Sequence, residues 1–336
     1  MKRRLAVVLV AVLISTSCSA DDAPSVEGVT VPDGFEVVEV FDGLSSPTQI
    51  GPGVDGSLLV AQLNGGENDQ LGQVLVVDLD DRSTRVIYND LDKPTGVALL
   101  GDEIYVMERD KLSVGSLDAE PLEVVVDELP TNGRSEGTLT VTPDQTLLFN
   151  TSGSMSDGEV VEDSGQLWEL QPGGSPQVLA TGFKNAYAHH VDDSGEVWVT
   201  EVSDGLFDGA PAADEVVVVT DGIDGGWPHC VGDQRPVVEF GGDQQSCANT
   251  ARSLAVFEPG ATPTSIAAAP WGDDQLLAAL WNEGRVALLE VGGERPVQVE
   301  TMLEGVDHPQ HLLAVGESVL VTDPDAGRIL SIRESD

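Results

Sequence analysis

Leu179-Ala-Thr-Gly-Phe-Lys-Asn-Ala-Tyr-Ala-His-His-Val-Asp-Asp-Ser-Gly-Glu-Val-Trp-Val-Thr-Glu201 joins a punctuated loop to a strand, and the same joint recurs along the chain. Its loop half is Gly182-Phe-Lys-Asn-Ala186 and its strand half is Ser194-Gly-Glu-Val-Trp-Val199, β-branched and aromatic residues behind a Gly turn. Outward from it, Leu44-Ser-Ser-Pro47 precedes Gly56-Ser-Leu-Leu-Val-Ala61, and Leu91-Asp-Lys-Pro94-Thr-Gly-Val97 precedes Asp102-Glu-Ile-Tyr-Val106. Gly133-Arg-Ser-Glu-Gly-Thr-Leu139 precedes Pro143-Asp-Gln-Thr-Leu-Leu-Phe149. Ala261-Thr-Pro263-Thr-Ser-Ile266 precedes Asp274-Gln-Leu-Leu-Ala278, and Val306-Asp-His-Pro309-Gln-His-Leu312 precedes Gly316-Glu-Ser-Val-Leu-Val321. The period is about 43 to 48 residues, with one gap near 77 that holds an insertion. Six such units imply an all-β, six-bladed β-propeller, whose radial closure protects sheet edges. An eight-stranded sandwich is the alternative, and it leaves the repeated joint unexplained.

Further short strands support this class: Gly34–Val40, Gln73–Leu79, Leu122–Val126, Gln166–Leu170, Glu215–Thr220, Arg285–Val291 and Arg328–Ile332. No amphipathic helix of useful length appears. Residues 1–18 read as a signal peptide, with Lys2-Arg3-Arg4 followed by the apolar run Leu5 to Ile14. Ending in Cys18, this segment resembles a bacterial lipoprotein signal, which makes Cys18 the lipidation site and the protein an exported, lipid-anchored one; plain secretion is the alternative. Residues 19–28 are a small, polar, acidic tether, and residues 29–336 form one propeller domain.

Setting Cys18 aside leaves Cys230 and Cys247, which pair as a disulfide in an oxidising compartment; closing that loop contributes about 3 kcal/mol. Free thiols or metal ligands are the rival reading. Charge is extreme, with 16 Lys and Arg against 58 Asp and Glu and a net of −42. Such a surface argues against nucleic acid, which needs a basic face, and for solubility. The few cations are therefore informative. Lys93, Arg134, Lys184, His308 and His311 fall at related loops, which in a propeller lead into the innermost strands at the channel mouth. Together they suggest a positive funnel for an anionic ligand. The plain alternative is that they balance neighbouring acids.

Gly226-Trp-Pro-His-Cys230 reads as a rigid loop with its carbonyls held outward. His189 and His190 are adjacent on one strand and point opposite ways, so one at most faces the channel. No EF-hand-like loop, nucleophile elbow, P-loop or dinucleotide fingerprint is present.

On these residues the chain resembles the exported pyrroloquinoline-quinone (PQQ)-dependent glucose/sorbosone dehydrogenases. The similarity spans most of residues 31–332 and rests on Val31-Pro-Asp-Gly-Phe35, Gly43-Leu-Ser-Ser-Pro47, Pro143-Asp-Gln145, Ala180-Thr-Gly-Phe-Lys-Asn185, Gly195-Glu-Val-Trp198 and Gly226-Trp-Pro-His-Cys230. The resemblance implies a monomer that binds PQQ and a sugar at the channel mouth, with calcium near Gly226, Trp227 and Pro228. It implies Lys93, Lys184, Asn185 and His308 as cofactor-binding residues and a general-base histidine. That base position holds Arg134, which cannot accept a proton near neutral pH, so Glu136, His189 or His311 must replace it. The family's arginine before Asn185 is Lys184, which keeps the charge and loses the bidentate fork. Its late arginines fall near His308 and His311, and its lysine near Asn282. Two other classes stay open: a catalytically degenerate propeller acting as a cell-surface binding module, and a metal-dependent lactonase-type propeller.

Overall fold

Each repeated joint becomes the inner half of one antiparallel sheet. The protein was analysed as a computed structural model, which describes residues 26–65, 71–118, 121–131 and 137–335; Cys18, Arg134 and Glu136 lie outside these residues. Among the described residues, six four-stranded sheets follow one another in chain order. Blade 1 runs Pro47–Pro52, Leu58–Leu63, Leu71–Asp78 and Ser83–Asp92, and the other blades repeat this meander. Blade 6 takes three strands from the C-terminal end and its outermost from the N-terminal end, Phe35–Phe41 pairing with Arg328–Glu334. The six-bladed β-propeller expected from the repeat is therefore the observed architecture.

Between each repeated loop and the strand after it lies the innermost strand of the blade, of which the sequence shows only the one carrying His189 and His190. These strands are Pro47–Pro52, Gly96–Leu100, Thr140–Val141, Ala186–Val191, Pro263–Ala268 and Leu312–Val315. Their composition explains the omission. Pro47-Thr-Gln-Ile-Gly-Pro52 has the content of a turn, yet small side chains are what the crowded centre of a propeller accommodates. The second strands are easier to read because both faces pack on neighbouring blades: Leu58–Leu63 is buried at every position. Apolar side chains between blades make the core, as where Trp198 and Leu254 of blade 4 meet Ile266 and Leu276 of blade 5.

Two polar devices recur. Thr48, Thr95 and Thr264 donate their hydroxyls across to the next blade, to Pro94 O at 2.9 Å, Gly137 O at 3.0 Å and Pro309 O at 3.2 Å. At the ends of second strands, Gln62, Glu108 and Glu201 accept from the loop leading into their own blade: from Ser45 N at 2.9 Å, Asp92 N at 2.7 Å and Lys184 N at 2.5 Å. Each buried side chain thereby satisfies a backbone N–H that the turn leaves unpaired.

The insertion between the third and fourth strands of blade 4 shapes one side of the mouth. It climbs beside the outer strand of blade 3, with Thr181 N donating to Ile223 O and Gly225 N to Thr181 O. Gly182 permits this approach: it has φ 79°, and a Cβ there would lie 2.0 Å from Asp224 Oδ1. The insertion then packs Trp227, Val231 and Val237 against Phe207 and Ala212 of the connection between the second and third strands, and the Cys230–Cys247 disulfide holds it.

Candidate functional site

Lys184 begins the site because the loop that carries it is fixed from behind. Both carboxylate oxygens of Glu201 accept from this loop, from Lys184 N at 2.5 Å and Asn185 N at 3.2 Å. Burial pushes the Glu201 carboxyl well above its usual range, opposed by these backbone donors. Across the sheet stands Glu215, raised for the same reason, and beside it Asp214, raised to about 6 by burial. Asn185 accepts from Asn150 Nδ2 at 3.1 Å, while Asn150 Oδ1 is buried with no partner among the described residues.

The Lys184 side chain then turns into a cleft. Its ammonium donates to Gly153 O at 3.0 Å, pairs with Asp204 at 3.2 Å and lies 5.9 Å from the centre of the Trp227 ring. Trp227 reaches this place because Gly153 has no side chain; a Cβ there would be 2.8 Å from the indole. The cleft encloses about 460 Å³ and is walled by Met155, Phe207, Trp227, Phe240 and Leu206, with the Lys184–Asp204 pair among them. The Trp227–Pro228 peptide is cis. Aromatic faces with a few convergent polar groups make a site for a small organic ligand.

The sequence-derived residues fall into separate places. Lys184 and Trp227 line this cleft, and Asn185, Gly226 and Pro228 are their neighbours in the chain. His308 sits on the same mouth face between blades 5 and 6, stacked on Trp281 at 3.9 Å with its Nδ1 on the Asp325 carboxylate. Gln310 links the two sides by donating to Tyr187 Oη at 3.0 Å. Lys93 is half-buried in the turn before blade 2, at φ 52°. His189, on the inner strand of blade 4, and His311, just before the inner strand of blade 6, are buried and line a central channel cavity of about 500 Å³. Burial lowers both to about 3, so both are neutral at ordinary pH.

His189 occupies the position held by Ile50, Val97, Ile266 and Leu312 in other blades. Its partner is Thr140 of the adjacent blade. Thr140 gives its one hydroxyl proton to His189 O at 3.0 Å, so Nδ1 is the donor in the 3.2 Å contact with Thr140 Oγ1. His190 points the other way and stacks on Trp198.

Asp204, Met155, Phe207, Phe240, Glu201, Trp281 and Asp325 were missed in the sequence. No spacing connects them to Lys184 or His308; the acidic character of the loop holding Asp204 and Phe207 was the one visible signal.

The quinone and calcium implied by the family resemblance demand anion-binding cations and free carbonyls, and the described residues do not fit them. The Lys184 ammonium is already matched by Asp204 and Gly153 O, and the His308 ring nitrogen by Asp325. In the loop expected on calcium, the Gly226 carbonyl accepts from Cys230 N at 2.8 Å. Among the described residues no group of three or more His, Cys, Asp or Glu is placed to hold a metal.

Compared with known proteins, the chain matches no protein-family model and no curated protein. Solved structures do match it over nearly their whole length. The holo PQQ domain of pyranose dehydrogenase from Coprinopsis cinerea is 16% identical, with a TM-score of 0.72 over 93% of this chain and 98% of that one. The PQQ-bound aldose sugar dehydrogenase from Streptomyces coelicolor is 19% identical, with a TM-score of 0.69 over 91% and 100%. An enzyme of carbohydrate-active family AA12 from Trichoderma reesei is 15% identical, with a TM-score of 0.73 over 92% and 98%. At these identities the likeness establishes a shared fold.

Proposed function

We propose that this chain, whose fold is that of the quinone-dependent sugar dehydrogenases, is an exported sugar-binding propeller anchored through Cys18. The observation that carries the reading is the cleft beside Lys184. A pyranose presents an apolar face and a rim of hydroxyls. Trp227 supplies a ring for the face, and the Lys184–Asp204 pair supplies a donor and an acceptor for adjacent hydroxyls. A neutral ligand also suits a mouth in which the Lys184 ammonium and the His308 ring are each set against a carboxylate.

A second reading, quinone-dependent oxidation of the bound sugar, draws support from Lys184 and Trp227 of the two family-like motifs lining one cleft. It requires Lys184 to leave Asp204 for the quinone, and a base in place of Arg134. Calorimetric titration separates the two. The sugar-binding reading expects heat of binding from neutral monosaccharides that Trp227→Ala abolishes, and none from PQQ with calcium. Stoichiometric PQQ binding that Lys184→Ala weakens would instead establish the oxidoreductase reading. Silence with every sugar would remove both.

A further inference from the structure

The cleft is larger and more apolar than a lone sugar needs. Its charged groups, Lys184 and Asp204, form one pair, Thr131 and Ser154 add hydroxyls, and Leu206, Met155 and Phe240 extend the apolar wall beyond Trp227 and Phe207. Leu206 is 67% exposed in the wall of this cleft. Its segment is held rather than loose. Asp208, two residues on, accepts from Val238 N and Glu239 N, both at 2.8 Å, which fastens the Leu206 turn to the insertion. A pyranose has one small apolar face, and Trp227 suffices to cover it. The outer wall therefore calls for carbon on the ligand beyond the ring.

We propose that the natural ligand is a neutral amphipathic glycoside, with its sugar at Lys184 and Asp204 and an aryl or alkyl aglycone lying against Leu206, Met155 and Phe240. This rests on the sugar-binding reading and adds the class of sugar derivative. Charge selects for neutrality, because an anionic substituent would enter a strongly acidic surface. Hydrophobic area selects for the aglycone. Covering roughly half of an exposed leucine side chain is worth about tenfold in affinity.

Calorimetry with paired methyl and phenyl glycosides of glucose and galactose tests the inference on the full chain. The expected result is that a phenyl glycoside binds about tenfold more tightly than its methyl counterpart. Leu206→Asp should erase that advantage and Leu206→Ala should reduce it, each read as the ratio of phenyl to methyl glycoside affinity in the same variant. Both changes fall on an exposed side chain, and matching melting curves confirm the fold. Equal affinity for the methyl and phenyl series, or a phenyl advantage that survives Leu206→Asp, overturns the aglycone inference and leaves sugar binding standing. Binding of neither series overturns both.

Discussion

His189 is buried on the inner strand of blade 4, where it lines the central channel cavity. A histidine near a channel invites a catalytic role, and its neighbours in sequence do not reveal that four other blades hold Ile or Leu or Val at the same place. Register reveals it, together with Thr140 as the polar partner in the adjacent blade. The buried ring sits at about 3 against an ordinary 6.5 because burial disfavours the imidazolium. Below about pH 6.5 the unfolded chain takes up a proton there that the folded chain refuses, so stability falls as pH falls from 6.5 toward 3. His189→Leu keeps the bulk of the other blades and leaves Thr140 bonded to a backbone carbonyl. The variant should melt close to the wild type at neutral pH and lose less of its melting temperature at about pH 4.5. An identical acid profile in thermal melts would show that His189 carries no such penalty; His311, also lowered to about 3, keeps its own share. Glu201 has the opposite sign. Its folded pKa lies above the ordinary carboxylate value, so stability is full below that value and declines as pH rises toward the folded pKa. Glu201→Gln should flatten this decline at the cost of one backbone acceptor. Glu201→Leu strands both Lys184 N and Asn185 N and should cost about 1–3 kcal/mol for each, read by chemical denaturation.

At the scale of the element, the repeated loop and the second strand were legible because turn residues and β-branched runs alternate there at a fixed period. Most of the innermost strands were not, because Pro, Gly, Thr and Ala fit a crowded channel wall and also compose turns. Pro47-Thr48, Pro94-Thr95 and Pro263-Thr264 do carry a signal once the geometry is known, since each threonine reaches the following blade. Thr48→Val removes the hydroxyl, keeps the shape and leaves Pro94 O short of a donor. It should destabilise by about 1 kcal/mol, measured as a shift in denaturation midpoint at constant slope. No loss at all would mean that the hydroxyl only replaces water. The cleft shows the limit of sequence reading more sharply. Lys184, Asn185 and the Trp227 loop were visible as motifs, whereas Asp204, Met155 and Phe207 come from two other connections that converge only after blades 3 and 4 pack. The Lys184–Asp204 pair is thus a tertiary fact, and it turns an expected anion-binding lysine into half of a neutral hydrogen-bonding pair.

For the whole molecule, two global features pull against each other. A net charge of −42 favours solubility and opposes compaction by self-repulsion, so added salt should raise the melting temperature as repulsion between surface carboxylates is screened. Closure of the ring opposes that strain. Phe35–Phe41 completes blade 6 along the whole length of Arg328–Glu334, and Thr30 bridges to Glu304 of blade 5, so the two ends of the chain meet in one sheet. Removing residues 29–42 would expose the edge of Arg328–Glu334, take Val29, Val37 and Phe41 out of two cores and uncover Leu44. That single deletion affects every blade, because a propeller transmits the loss of one contact around the ring through its neighbours. The expected outcome is a broad, low-temperature melt with a tendency to associate through the open edge, seen by calorimetry and light scattering. Supplying the missing strand as a synthetic peptide of residues 29–42 should restore the cooperative melt. A truncated chain that melted as sharply and as high as the intact one would show that the five remaining blades and a three-stranded sixth hold the ring without its N-terminal strand.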